Sequence, residues 1–257
     1  MANSSKLESR IKFDSPWSLT IQDDLSGPTA ISIPAGEYYH SSVGNGTRSL
    51  LGEIAYQANA VMTRTWAVTL SSTGVCSLSA TGVSLAVTWT STDLRDVLGF
   101  SGSEVVVDAV VTASAQCKGL WLSDYPYNSL HQGGSWKGSI ESDMQIAESS
   151  RGDVYAISGQ IKRALNLSFA AEASPKTWVA DEILGNTSFE QFYLDCILGN
   201  QTWANTCGPI RWYPDYTDDT TYGTYSILLK DWNPSQLSEG WTGRWTIALP
   251  RLVEVPS

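Results

Sequence analysis

The sequence predicts an α+β fold, mostly antiparallel β, in two β-rich modules that each hold one main helix. Three observations carry this. Apolar and polar residues alternate at period two in short runs such as Trp66–Leu70 and Cys76–Ala80, the pattern of strands with one wet face. Glycine-containing turns separate these runs, as antiparallel hairpins require. Two stretches, near 47–62 and 187–198, repeat apolar residues at the 3.6 period of an amphipathic helix. A chain of 257 residues with 42% hydrophobic and 16% charged residues buries a sizeable core, which excludes disorder as the dominant state.

The elements follow in order. Residues 17–22 and 31–33 read as short strands around an Asp-Asp-Leu-Ser-Gly-Pro turn. Thr47 is a candidate N-cap for the first helix. Leu50, Leu51, Ile54, Ala58, Val61 and Met62 form its apolar stripe. Trp66–Leu70, Cys76–Ala80 and Leu85–Trp89 then read as a three-stranded meander. Ser91 to Phe100 reads as a short capped helix. Asp93 sits at its positive end, Gly99 after Leu98 is a left-handed stop, and Phe100 folds back onto the core. The run from 104 to 111, rich in Val105, Val106, Val107, Val110 and Val111, is apolar on both faces and reads as one central or interface strand.

Residues 119–138 mix aromatics, glycine and polar residues and read as an ordered linker between modules 1–118 and 139–257. Beyond it lie strands near 140–147, 154–170 and 208–213. The helix near 187–198 opens on a capping box, Thr187 with Glu190. Strands over 222–230 and 240–249 close the chain.

The charge balance is 16 cationic against 26 acidic residues, a net −10. Such a body repels phosphate backbones, so no nucleic-acid partner is expected. No apolar run approaches the roughly 18 residues that span a bilayer, so no membrane insertion is expected. The first ten residues have no apolar core and read as no secretory signal, an expectation of synthesis in a host cytoplasm. Four cysteines and two histidines show no zinc spacing. Cys196 and Cys207 flank a short polar loop and could approach each other. No nucleophile elbow, HExxH or phosphate loop occurs. The acidic clusters Asp23-Asp24, Asp181-Glu182 and Asp215/Asp218/Asp219 sit beside turn residues, where Asp is favoured for backbone reasons. Arg151-Gly152-Asp153 reads as a hairpin tip. Neither catalytic residues, nor a metal, nor a cofactor are expected.

Eleven Trp and eleven Tyr stand against five Phe. Trp and Tyr suit sites that are apolar at one end and wet at the other. Trp66, Trp89 and Trp245 lie on alternating apolar faces and read as core. Trp121, Tyr125, Tyr127, Trp136, Trp203, Trp212 and Trp232 fall in loops or at strand ends. With Val105 and Val107 they are the candidate interface residues.

The block Trp66-Ala-Val-Thr-Leu70, Gly74, Leu78, Leu85-Ala-Val-Thr-Trp89 and Leu94-Arg-Asp-Val-Leu-Gly-Phe100 resembles a pattern in virion proteins of tailed bacteriophages and other viruses. There, short strands lead into a Leu-Gly-Phe corner. Gly119-Leu-Trp-Leu-Ser-Asp-Tyr-Pro126 is similar to the connection found in such phage proteins. Ile210-Arg-Trp-Tyr-Pro214 and Trp245 through Val255 are similar to the C-terminal strands of tail and baseplate proteins. The resemblance implies a structural virion component of tail or baseplate type, located in the particle. It would assemble with itself, as a ring or lattice, and with neighbouring virion proteins. A receptor- or glycan-binding module of the particle and a neck or capsid-associated protein are the alternative readings. A hydrolase would need two carboxylates converging in a pocket.

Overall fold

The structure is a computed structural model that describes residues 5–41, 49–81, 84–106, 110–123, 136–142, 145–148, 154–157, 161–171, 189–199, 201–204, 209–213, 225–230, 238–239, 245–248 and 251–254. The first half runs β1 (Ser5–Glu8), β2 (Ile11–Phe13), β3 (Trp17–Asp23), β4 (Thr29–Ile33), β5 (Gly36–Tyr38), α1 (Leu50–Val61), β6 (Trp66–Leu70), β7 (Val75–Ala80), β8 (Leu85–Trp89), α2 (Thr92–Val97), β9 (Glu104–Val106), β10 (Val110–Gln116) and β11 (Leu120–Ser123). The second half runs β12 (Trp136–Ser142), β13 (Gln145–Glu148), β14 (Val154–Ile157), β15 (Ile161–Ala171), α3 (Phe189–Phe192), β16 (Ile210–Tyr213), β17 (Tyr225–Lys230), β18 (Ser238–Glu239), β19 (Trp245–Ala248) and β20 (Arg251–Glu254). Every pairing between these strands is antiparallel. The fold is mostly antiparallel β with few helices, as the alternation predicts.

The predicted strands 17–22 and 31–33 are β3 and β4, paired from Trp17↔Ile33 to Ile21↔Thr29. The expected meander is divided between two sheets. β6 and β7 form its hairpin, from Trp66↔Ala80 to Leu70↔Cys76. β7 then pairs with β10, whereas β8 pairs with β3 and β9. Alternation sets which face of a strand is buried, not which neighbour it takes. Here β3 offers β8 a matched inner face through Leu19↔Trp89 and Ile21↔Val87.

The single apolar strand expected over 104–111 is likewise two. β9 stays with β8, and β10 joins β7 through Leu78↔Val111. A Val-rich run that changes sheets mimics one strand buried on both faces. Val110 is in fact exposed, while Val111 and Ala113 are buried.

Residues 120–123 are a strand, not a connection: β11 pairs with β1, and β1 pairs on its other side with β16. The N-terminal strand therefore stands inside the large sheet, in the order β11-β1-β16-β17-β20-β15-β19-β18, with β12 beside β15. The first part of β15 pairs with β12 and β20 and its last four residues with β19. The described core is one cluster that runs from Leu7 and Ile11 through Trp66 and Trp121 to Trp212 and Ile227.

Helix α1 begins later than expected. Ser49 is its N-cap, with Oγ accepting from the Gly52 N–H at 3.0 Å; Thr47 lies outside the described residues. Leu50, Leu51, Ile54 and Ala58 are buried as predicted, but Val61 faces out at the last turn. Near residue 193 the helix begun by α3 widens into a π-helical stretch, Tyr193–Ile197, which buries Asp195 and Cys196. The capping box at Thr187 lies outside the described residues.

Candidate functional site

Among the described residues, the densest buried chemistry centres on Glu8, the last residue of β1. Leu7 packs in the core, so its neighbours Lys6 and Glu8 point to the other face of the strand. That face is also covered, and Lys6, Glu8 and Arg211 are all buried. Glu8 Oε1 accepts from the backbone N–H of His40 at 2.7 Å and of Ser41 at 3.2 Å. Glu8 Oε2 accepts from the Tyr213 hydroxyl at 2.8 Å and lies 3.6 Å from the Lys6 ammonium. Burial pushes the Glu8 carboxyl up. Lys6, His40, the Tyr213 hydroxyl and the Ser41 N–H together outweigh it, and the carboxyl is held below its ordinary value.

The surroundings are equally ordered. The Lys6 ammonium sits 4.1 Å from the centre of the Tyr213 ring, and the Arg211 guanidinium 3.8 Å from that of Tyr39. Arg211 also donates to the Ser41 carbonyl at 3.2 Å. Tyr39 donates to the Pro209 carbonyl at 2.9 Å. Burial, and then Glu8, push the Tyr213 hydroxyl pKa well up, so it stays a proton donor. His40 is fully buried, and its Nε2 lies 2.7 Å from the Lys118 carbonyl oxygen. A carbonyl only accepts, so Nε2 carries the proton and Nδ1 is the bare nitrogen. Nδ1 has no hydrogen-bond partner among the described residues. Burial lowers the His40 pKa.

This cluster joins β1, the segment after β5, the turn before β11, and β16. Glu8 and His40 are both closed off from solvent. The chemistry of the cluster is that of a buried tie centred on a fully hydrogen-bonded Glu8, costly to break.

The second constellation is the Leu98-Gly99-Phe100 corner. Gly99 has φ +80°, the left-handed conformation expected of it. The Phe100 N–H bonds the Arg95 carbonyl at 3.0 Å and the Gly99 N–H the Asp96 carbonyl at 3.2 Å, the paired bonds of a Schellman stop. Phe100 is buried, with its ring 4.9 Å from that of Trp89. The Ala115 N–H donates to the Gly99 carbonyl. A Cβ on Gly99 would run into the Ala115 carbonyl oxygen, so the corner and β10 approach closely only because residue 99 is glycine.

Three expected interface residues are corrected. Trp121, Trp203 and Trp212 are 2%, 6% and 4% exposed and belong to the chain's own core. Trp121 and Trp212 look like loop residues in sequence because β11 and β16 are short and covered on both faces, and Trp203 lies in the turn over residues 201–204. Trp136 opens β12 opposite Leu167. Val105 lies in edge strand β9 opposite Ala86. Tyr125, Tyr127, Trp232 and Val107 lie outside the described residues. Trp66 and Trp89 are core residues as expected.

Asp23 and Asp24 anchor a turn. The Asp23 carboxylate accepts from the N–H groups of Leu25, Ser26 and Arg64. Asp24 takes both arms of the Arg64 guanidinium, at 2.8 and 2.6 Å. Cys76, Cys117 and Cys196 are buried free thiols; burial pushes Cys196 up to about 12. Cys207, Asp181-Glu182, Asp215, Asp218, Asp219 and the Arg151-Gly152-Asp153 tripeptide lie outside the described residues. Among the described residues, no three His, Cys, Asp or Glu converge on a point that could hold a metal ion. No helix there is long and apolar enough to cross a membrane.

The residues of this cluster that sequence reading missed are Lys6, Glu8, His40, Arg211 and Tyr213. The available signal was the alternation Lys6-Leu7-Glu8, charges flanking one apolar residue, and the run Tyr38-Tyr39-His40. Comparison of the chain with known families, characterised proteins and solved structures gives no match.

Proposed function

We propose that the chain is a structural component of a tailed-bacteriophage virion, of tail or baseplate type, that assembles with copies of itself and with neighbouring virion proteins. The reading assigns it no catalytic role. The observation that carries it is the Trp66–Phe100 pattern. Its Leu98-Gly99-Phe100 corner is a glycine-dependent stop locked against β10, a rigid feature suited to a repeating building block. A second support is apolar surface. Leu25, Tyr56, Val61, Val110 and Leu198 are all exposed, and contacts with neighbours would cover such side chains. The central polar cluster is sealed, which suits a tie within a subunit rather than a reaction centre.

The experiment is antibody labelling of phage particles purified from a lysate that contains the chain. Labelling confined to the tail or its distal end is the expected result. Unlabelled particles, with all of the chain in the soluble fraction, contradict the proposal.

A further inference from the structure

We propose that the open edge of β6 is the contact through which two copies of the chain pair, strand against strand, about a two-fold axis centred on Thr69. The inference deepens the self-assembly reading above and rests on it, though not on the virion. It adds a backbone edge to the exposed apolar side chains already named.

The direction of the backbone groups comes first. β6 pairs with β7 on one side, and among the described residues no strand lies on its other side. The Thr81 N–H donates to the Thr65 carbonyl at 3.1 Å and the Ser71 N–H to the Val75 carbonyl at 2.9 Å. The odd-numbered residues of this run therefore turn their N–H and C=O toward β7, and the even-numbered ones turn theirs away. Trp66 follows this phase: its N–H donates to Asn59 Oδ1 at 2.7 Å and its carbonyl accepts from Asn59 Nδ2 at 2.9 Å. The Asn59 amide stands where a neighbouring strand would begin, and it closes that end of the edge. Val68 and Leu70 point the same way as Trp66, each with one N–H and one C=O.

What the edge lacks decides what fits it. Native sheets guard their edges with charge, proline or a covering segment. The four-stranded sheet follows that rule: it ends on β4, bracketed by Pro28 and Pro34, and on β9, which opens on Glu104. At the far edge of the three-stranded sheet, the Gly99 carbonyl accepts from the Ala115 N–H of β10 at 3.0 Å. β6 carries neither charge nor proline. Residues 65–92 hold none of the chain's 16 cationic and 26 acidic side chains, and β10 is uncharged as well. Two copies of net charge −10 repel each other, and an uncharged sheet is where they meet with least repulsion.

The edge is also self-complementary. In an antiparallel pair centred on Thr69, Val68 of each copy faces Leu70 of the other, and every outward N–H and C=O of these residues finds a partner. Thr69 is exposed and would face its own copy, a favoured cross-strand pair. The half-buried Val68 and Leu70 side chains pack against the core, and the incoming strand would cover what remains open. The contact is short, so it belongs to the small, weak class of interfaces.

Sedimentation velocity and native-state hydrogen exchange on the full chain, from about 10 µM to about 1 mM, test this. Dimer is expected to grow with concentration. The Val68 and Leu70 amides are expected to gain about fivefold in protection at the upper end, while those of Ala67 and Thr69, which face β7, keep theirs. Thr69→Lys and Thr69→Glu each set like charges face to face at an exposed site and are expected to weaken dimerisation about tenfold. Mixed in equal amounts, the two variants are expected to recover the wild-type dimer. A chain that is monomeric throughout the range overturns both the edge and the self-assembly reading. Association that T69K and T69E leave unchanged, or that their mixture does not restore, overturns the edge alone. Val68 and Leu70 amides already protected in the monomer overturn it too, since the chain itself then covers them. Where a variant does not fold, those two amides in the wild-type chain still decide: no gain with concentration overturns the proposal.

Discussion

Glu8 ties distant parts of the chain together. Its hydrogen bond to Tyr213 spans 205 positions and that to His40 spans 32. Glu8→Gln keeps the shape but removes the charge that balances the buried Lys6 ammonium. The expected loss is about 1–3 kcal/mol, the cost of weakening a buried set of charge-assisted hydrogen bonds, read as a lower urea midpoint with an unchanged slope. The folded carboxyl lies below its ordinary 4.5, so the unfolded chain takes up the proton first as pH falls. The Glu8 contribution is therefore full above about pH 4.5 and drains away as pH drops through the folded value. In Glu8→Gln that part of the acid-side loss is expected to disappear. No local pattern announces this residue. A Glu beside Lys and Leu near a terminus reads as solvated, and it is buried only because strands 200 residues apart close around it. Gly99 was legible for the opposite reason. The left-handed stop is a property of consecutive residues, and Leu-Gly-Phe after a helical turn spells it locally. Gly99→Ala combines left-handed strain with a collision at the Ala115 carbonyl. It is expected to cost about 3 kcal/mol, measured by thermal unfolding.

At the scale of the elements, sequence reading succeeded where one strand or helix is its own argument. The buried alternation of β7, with Cys76, Leu78 and Ala80 inward, and the stripe of α1 are intrinsic to their periods. It failed where partner choice decides: the separation of β8 from β7, the splitting of 104–111, and the conversion of 120–123 from linker to strand. Caps lie between these cases. Ser49 was passed over for Thr47, yet its hydroxyl both accepts from Gly52 and donates to the His40 carbonyl at 2.9 Å. It thus ties the start of α1 to the Glu8 region. Ser49→Ala is expected to cost about 1 kcal/mol. Exchange at the first α1 amides should rise and that at the last turn should not. Uniform exchange along α1 would show that the cap contributes nothing local.

The whole molecule is bound by its first and last strands. β1 lies between β11 and β16, and β17 then carries the sheet on to β20 and β15, so the two halves share one sheet and one described core. Composition predicted the class of fold and the large core. It could not show that the N-terminus completes a sheet built mostly by the second half, because register between distant strands leaves no local trace. The same limit explains the aromatics. Trp121, Trp203 and Trp212 are covered by the chain itself, so the contact surface of the proposed assembly is sought elsewhere. The described candidates are Leu25, Tyr56, Val61, Val110 and Leu198. Assembly is the central claim, and sedimentation velocity of the purified chain over about a hundredfold range of concentration tests it most directly. The account predicts a discrete species at a whole multiple of 27.9 kDa, growing at the expense of monomer as concentration rises. A single 27.9 kDa species at every concentration would contradict it.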